Sequence, residues 1–114
     1  MKFLVTGCAG FIGSHFVNRV LEANDTNMVV GIDCLYPCSS RKATEPRERF
    51  VFVQDDINKK NLICDLLTEH AIDILVHFAA QSHVDTSFSD MRRHVKDNAV
   101  GTFNVLEGLR QANL

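Results

Sequence analysis

The stretch Leu4-Val5-Thr6-Gly7-Cys8-Ala9-Gly10-Phe11-Ile12-Gly13 sets three glycines between an apolar run and an amphipathic one. Lys2 to Thr6 reads as a short buried strand that runs into a turn. From Phe11 to about Ala23, the residues Ile12, Phe16, Val20 and Ala23 recur at helical spacing, so a helix opens straight after the turn. In that context each glycine has its own task. Gly7 lets the chain turn tightly, Gly10 lets backbone approach a pyrophosphate, and Gly13 lets the helix pack closely on the sheet. The helix N-terminus adds unpaired N–H groups and a partial positive charge. The spacing is G-x-x-G-x-x-G rather than G-x-G-x-x-G, so the strand-turn-helix setting carries the reading.

Outward from this turn, Met28 to Ile32 is a second apolar, β-branched run that ends at Asp33. Cys34 to Arg49 holds both prolines, Pro37 and Pro46, and reads as a loop with room for one helical turn. Phe50 to Val53 is a third strand. Asn58 to His70, with Leu62, Leu66 and Leu67, is a helix. Ile72 to Phe78 is a fourth strand, and Gln81 to Asp90 a polar loop. Met91 to Ala112 is a last long helix with Val95, Ala99, Phe103, Leu106 and Leu109 on one face. Apolar strands alternating with amphipathic helices predict an α/β fold. Its parallel sheet is covered on both faces, in a Rossmann-like doubly wound arrangement with strand order 3-2-1-4.

The 114 residues predict one domain, 1–114. A formal net charge of −2, with both signs mixed along the chain, leaves no electrostatic footprint for nucleic acid. Apolar runs of only a few residues predict no membrane span and no signal peptide. Cys8, Cys34, Cys38 and Cys64 match no zinc spacing and form no C-x-x-C pair, so reduced thiols in a cytoplasmic protein are expected. No H-E-x-x-H or comparable cluster predicts a metal.

Strand C-termini line the ligand crevice of such sheets. Asp33 lies twenty residues after Gly13, where a carboxylate accepts from ribose hydroxyls and repels a 2′-phosphate. NAD is therefore expected over NADP, although Arg41 and Lys42 nearby leave NADP open. Asp55-Asp56 is either a cap or solvated turn, or, with Ile57, a flank for the adenine. Phe78-Ala79-Ala80 ends the fourth strand at the switch point, where small residues admit a cofactor; Phe78 reads equally as core. Ser82 and His83 are expected to face the nicotinamide half. Ser82, His83 and Asp85 lack a G-x-S-x-G elbow, so acyl transfer is not read from them. His77, inside a strand, is expected to be a satisfied interior residue, and His15, His70 and His94 surface ones.

Five blocks together resemble the extended short-chain dehydrogenase/reductases, and within them the nucleotide-sugar 4,6-dehydratases. They are Leu4 to His15, Asp33-Cys34-Leu35, Asp56-Ile57, His77 to Phe88, and Asn98-Ala99-Val100-Gly101-Thr102. The first and last are superfamily-wide. Ala79 to Phe88 looks most like dTDP-glucose or UDP-glucose 4,6-dehydratases. GDP-mannose 4,6-dehydratases share its A-A-Q-S-H-V core but usually have a different glycine turn. The resemblance implies an NAD site. Phe11 and Ile12 offer N–H groups to the pyrophosphate, while Asp33, Cys34, Leu35 and Tyr36 surround the adenosine ribose. Asp56 and Ile57 hold the adenine. Phe78, Ala79, Ala80 and Ser82 line the nicotinamide side. Ser82 also touches the sugar, with His83 beside it. Asp97 and Asn98 lie near the cofactor on the long helix. Pro37 departs from the tyrosine usual in these dehydratases.

The family's reaction takes hydride from C4 of the sugar, eliminates water across C5–C6 and returns hydride to C6. It uses a Tyr-x-x-x-Lys pair, a Thr or Ser, and an Asp-Glu acid–base pair. The sole tyrosine here is Tyr36, and Ser40, not lysine, stands four residues on. No catalytic residue is therefore assigned. The chain is expected to be the cofactor-binding front of a larger enzyme, without the substrate domain. The alternatives are a stand-alone NAD module or partner subunit, a non-functional remnant, or the front of a nucleotide-sugar epimerase or GDP-mannose 4,6-dehydratase. Association through the last helix or the edge of the fourth strand is also expected.

Overall fold

In a computed structural model that describes residues 1–114, β1 (Lys2–Thr6) occupies the interior of a four-stranded parallel sheet. Its Leu4, Val5 and Thr6 are fully buried, as a strand covered on both faces requires. β1 pairs with β2 (Met28–Asp33) on one side and β4 (Ile74–His77) on the other. β3 (Phe50–Gln54) pairs with the far side of β2. The order is β3-β2-β1-β4, as the alternation of strands and helices predicts.

The pleat divides the core in two. Val5 and Val29 point to the face covered by α1 (Phe11–Ala23), where Val17, Leu21, Cys8 and Phe50 complete the packing. Leu4, Val30 and Ile32 point to the other face. There they meet Ile63, Leu66 and Leu67 of α2 (Leu62–Glu69) and Val105 of the C-terminal helix. Beneath the glycine turn the Cys8 side chain lies over Gly31 of β2. A Cβ placed on Gly31 would stand 2.7 Å from Cys8 Sγ and 2.9 Å from the Phe50 ring. No helix is long and apolar enough to cross a membrane.

Several elements differ from the expected ones. Asn58 to Asn61 is a turn rather than helix: Asp56 Oδ1 takes the Asn58 N–H at 2.9 Å, and Asn61 adopts φ 64°. Arg41–Thr44 supplies the single helical turn in the long loop. The segment expected to be polar loop contains α3 (Val84–Ser89). Its Thr86 and Ser89 hydroxyls bond back to the His83 and Thr86 carbonyls, and it buries no residue, so it has no apolar period to detect.

The last helix is not uniform. α4 (Met91–His94) runs into a π-helical turn, Val95–Val100, and then α5 (Gly101–Gln111). The Gly101 N–H reaches back to the Lys96 carbonyl, one residue further than in an α-helix. Its buried line is Asp97, Gly101, Val105 and Gly108; of the expected face, Val95, Ala99, Phe103 and Leu106 are exposed, and Leu109 packs half-buried on the core. The cause is close approach. A Cβ on Gly101 would stand 2.6 Å from Ile57, and one on Gly108 2.6 Å from Ile63. In α1 the buried line is likewise Gly13, Val17 and Leu21, with Ile12 exposed.

Candidate cofactor cleft

The glycine turn brings the end of β1 under the N-terminus of α1. Gly7 has φ +70°, and a Cβ there would stand 2.7 Å from the Ala79 nitrogen, so the turn lies against the end of β4. A Cβ on Gly13 would stand 2.1 Å from the Gly7 carbonyl oxygen, which fixes the helix against the turn. Gly10 differs: a Cβ there would meet only the Gly7 carbonyl, at 3.3 Å, and the rest of its surroundings are open. Gly10 provides no side-chain cap, and the first turn of α1 holds no acidic residue. The Phe11, Ile12 and Gly13 N–H groups have no partner in the chain. An uncapped helix end above a bare glycine suits a phosphate.

Beside this turn runs a cleft of about 690 Å³, open to solvent. Gly7 and Gly10 form its floor. Asp33, Cys34 and Tyr36 form one wall, with Cys38 and Ser39; Asp55, Asp56 and Ile57 stand at one end. Phe78, Ala79, Ala80, Gln81, Ser82 and His83 form the opposite wall, and Asp97 closes the back. Gly7, Gly10, Asp33, Cys34, Tyr36, Asp56, Ile57, Phe78, Ala79, Ala80, Ser82, His83 and Asp97, all singled out from sequence, thus meet in one place. Phe11, Ile12, Gly13, Leu35 and Asn98 do not line it. Phe11 and Ile12 hold exposed side chains at the helix tip. Asn98 instead clamps Gln81, taking its N–H at 2.6 Å and giving to its carbonyl at 2.9 Å.

Asp33 is held from three sides. It accepts from the Ala9 N–H at 3.0 Å, the Leu35 N–H at 2.8 Å and the Ser39 hydroxyl at 3.3 Å. Only the last is long enough to yield easily to another hydroxyl. Asp55 pairs with Lys59 at 2.7 Å, and its carboxyl lies below the usual range because of that bond and the Asp56 N–H. Phe78 touches the Phe16 ring edge-on at 5.3 Å and also lines the cleft. His77 is a satisfied interior histidine between Thr6 Oγ1 at 2.6 Å and Thr102 Oγ1 at 3.1 Å. Burial lowers its pKa. His15 is exposed as expected, whereas His70 and His94 are half-buried. The lining holds four aspartates and no lysine or arginine, but Lys59 pairs with Asp55 at 2.7 Å, Lys96 stands 3.9 Å from Asp56 and Arg93 4.0 Å from Asp97, which leaves Asp33 as the carboxylate with no cation beside it.

Ile32, Cys38, Ser39, Asp55 and Gln81 line the cleft in addition to the residues assigned to it from sequence. Asp55 and Gln81 adjoin assigned positions. Cys38 and Ser39 arrive only through the path of the loop, which no local pattern records.

The family model described as GDP-mannose 4,6 dehydratase matches residues 4–114. The chain belongs to this family. A dTDP-glucose 4,6-dehydratase of Mycolicibacterium smegmatis is 40% identical over 115 residues, covering 100% of this chain and 34% of that one. The structure of a Streptomyces venezuelae dTDP-glucose 4,6-dehydratase with NAD and TYD bound superposes with a TM-score of 0.89. It is 36% identical, over 100% of this chain and 37% of that one. A UDP-glucose-4-epimerase from Stenotrophomonas maltophila with bound NAD gives 0.87 at 34% identity, over 100% and 34%. The chain spans about a third of the length of these relatives.

Proposed function

We propose that residues 1–114 form the NAD-binding portion of a nucleotide-sugar 4,6-dehydratase, a single domain that carries the cofactor and not the catalytic groups. The observation that carries this reading is the alignment, in one cleft, of an uncapped helix end over bare Gly10 with the Asp33 carboxylate. Solved relatives with NAD bound support it. NAD, when bound, supplies reversible hydride acceptance from the sugar. The chain's own residues bind and orient it. The free N–H groups of Phe11 and Ile12 receive the pyrophosphate, and Asp33 accepts from the ribose, with Cys34, Leu35 and Tyr36 around it. Asp56 and Ile57 flank the adenine. Phe78, Ala79, Ala80 and Ser82 shape the nicotinamide end, and Asp97 and Asn98 lie near the cofactor on the long helix. Ser82 and His83, both exposed, face the sugar.

Titration calorimetry with NAD tests the reading. Saturable binding by the folded chain is expected, weaker for NADP, with no turnover of dTDP-glucose or UDP-glucose by this chain alone. A folded sample that does not bind NAD would overturn it. The epimerase structures favour a second reading, the same cofactor role in a nucleotide-sugar 4-epimerase. The apolar residues left exposed on the last helix, Val95, Phe103 and Leu106, suit a second copy of the chain. Four unpaired cysteines suit a cytoplasmic location.

A further inference from the structure

One carboxylate oxygen in the cleft bonds to both walls. Asp97 Oδ2 accepts from the Tyr36 hydroxyl at 2.7 Å and from Gln81 Nε2 at 2.8 Å. Tyr36 belongs to the loop after β2 and Gln81 to the chain leaving β4, so the oxygen bridges segments that no strand pairing joins there. Arg93 completes the arrangement. Its guanidinium lies over the Tyr36 ring at 3.4 Å from the centroid, and its Nε stands 4.0 Å from the same oxygen. Asp97 is 7% exposed and is one of only two buried polar or charged side chains, the other being Thr6. A carboxylate is seldom buried unless its neighbours satisfy it, and these do.

The π-helical turn explains how Asp97 comes to be there. One extra residue in the turn rotates α4 by about 100° relative to α5. Asp97 then faces the cleft while Gly101 still packs on Ile57 and Asn98 still clamps Gln81. A π turn also weakens the helix locally, and such turns cluster at functional sites.

We propose that Asp97 is a positioning residue, whose Oδ2 latches the Cys34–Ser40 loop to the Gln81 wall and so sets the ribose end of the cleft. The proposal deepens the cofactor reading and rests on it for the ligand alone. The latch itself is a property of the chain. Without it the loop keeps the Asp33 bonds at its base, its internal Ser39 N–H to Tyr36 carbonyl bond, the Ser40 N–H to Ala9 carbonyl bond at its end, and the stack of Arg93 on the Tyr36 ring, but no hydrogen bond from its middle to the Gln81 wall. Its middle then leaves the wall, and Asp33 loses the neighbours that hold a ribose against it.

Tyr36→Phe removes the donor and keeps the ring under Arg93. Asp97→Asn keeps the shape and removes the charge. Hydrogen–deuterium exchange of the full chain without ligand reads the loop, and calorimetry with NAD reads the cleft. Each variant is expected to speed exchange of the 34–40 peptide about tenfold, as loss of a charge-assisted bond implies, and the double variant no further. Protection of β1 and α1 stays at the wild-type level, and NAD affinity falls by about tenfold. Unchanged loop exchange, additive losses, protection lost across the sheet, or an opened loop with unchanged NAD affinity would each overturn the proposal. If the loop opens as expected but wild-type chain binds no NAD, the latch stands and the cofactor reading fails.

Discussion

Asp33 and Asp55 show how neighbours separate two similar side chains. Both end strands at the cleft, but Asp33 is held by backbone N–H groups of the glycine turn and of its own loop, whereas Asp55 is neutralised by Lys59. Asp33→Asn is expected to lower NAD affinity by about tenfold or more, and Asp55→Asn by less than about twofold, in calorimetric titration. Equal losses would undo the ribose assignment. Gly10 and Gly13 make a second contrast. Gly13→Ala drives a Cβ into the Gly7 carbonyl and is expected to lose on the order of 3 kcal/mol of stability. Gly10→Ala meets only the Gly7 carbonyl, at 3.3 Å, is expected to lose about 1 kcal/mol by denaturant titration, and puts a methyl group where the pyrophosphate is proposed to lie, so NAD binding is expected to be lost. His77 titrates below its ordinary 6.5 because burial disfavours its charge. The unfolded chain then binds the proton more readily, so this contribution is full above pH 6.5 and is lost as pH falls through the folded value. Melting temperatures across pH 5 to 7.5 should fall on the acid side, with a smaller fall in His77→Gln. Asp33 is legible in the sequence because it ends a recognisable strand at a set distance from a recognisable turn. Ser39 and Cys38 are not, because loop paths depend on contacts far away in sequence.

At the scale of elements, strands and their order are legible and the faces of helices less so. Continuous apolar runs with glycine or aspartate at their ends admit one arrangement of the sheet. Helix faces mislead because the contact lines of α1 and α5 pass through glycines, which add no hydrophobicity yet permit the closest packing. The apolar residues of α5 divide between two sides, with Val105 and Leu109 on the core and Phe103 and Leu106 toward solvent. Phe103 is 63% and Leu106 61% exposed, on the side away from Val105 and Gly108. Phe103→Glu and Leu106→Glu are therefore expected to leave the melting temperature unchanged and to shift the chain toward monomer in sedimentation. Wild type that is already monomeric at high concentration would remove that role from the helix. The π turn is also invisible in the sequence, since no residue type marks it.

Across the whole molecule, the sheet has one well-covered interior and one thinly covered side. Every residue of β4 is half-buried, whereas Val5, Leu4 and Thr6 of its neighbour are fully enclosed. Stability is therefore expected to be modest and ligand-dependent. NAD at a hundredfold excess over its dissociation constant should raise the melting temperature by roughly 10 °C, and NADP much less. Equal shifts would contradict the ribose role of Asp33. The contact between Cys8 and Gly31 ties the ligand turn to the interior in a mechanical sense. Burial pushes the Cys8 thiol up to about 12, so it resists alkylation while the chain is folded. The thiol occupies the space that β2 leaves bare at Gly31, and the glycine turn rests on it as on a pedestal. A methyl group added at position 31 would act as a shim, lifting the floor of the cleft from beneath without touching anything that binds there.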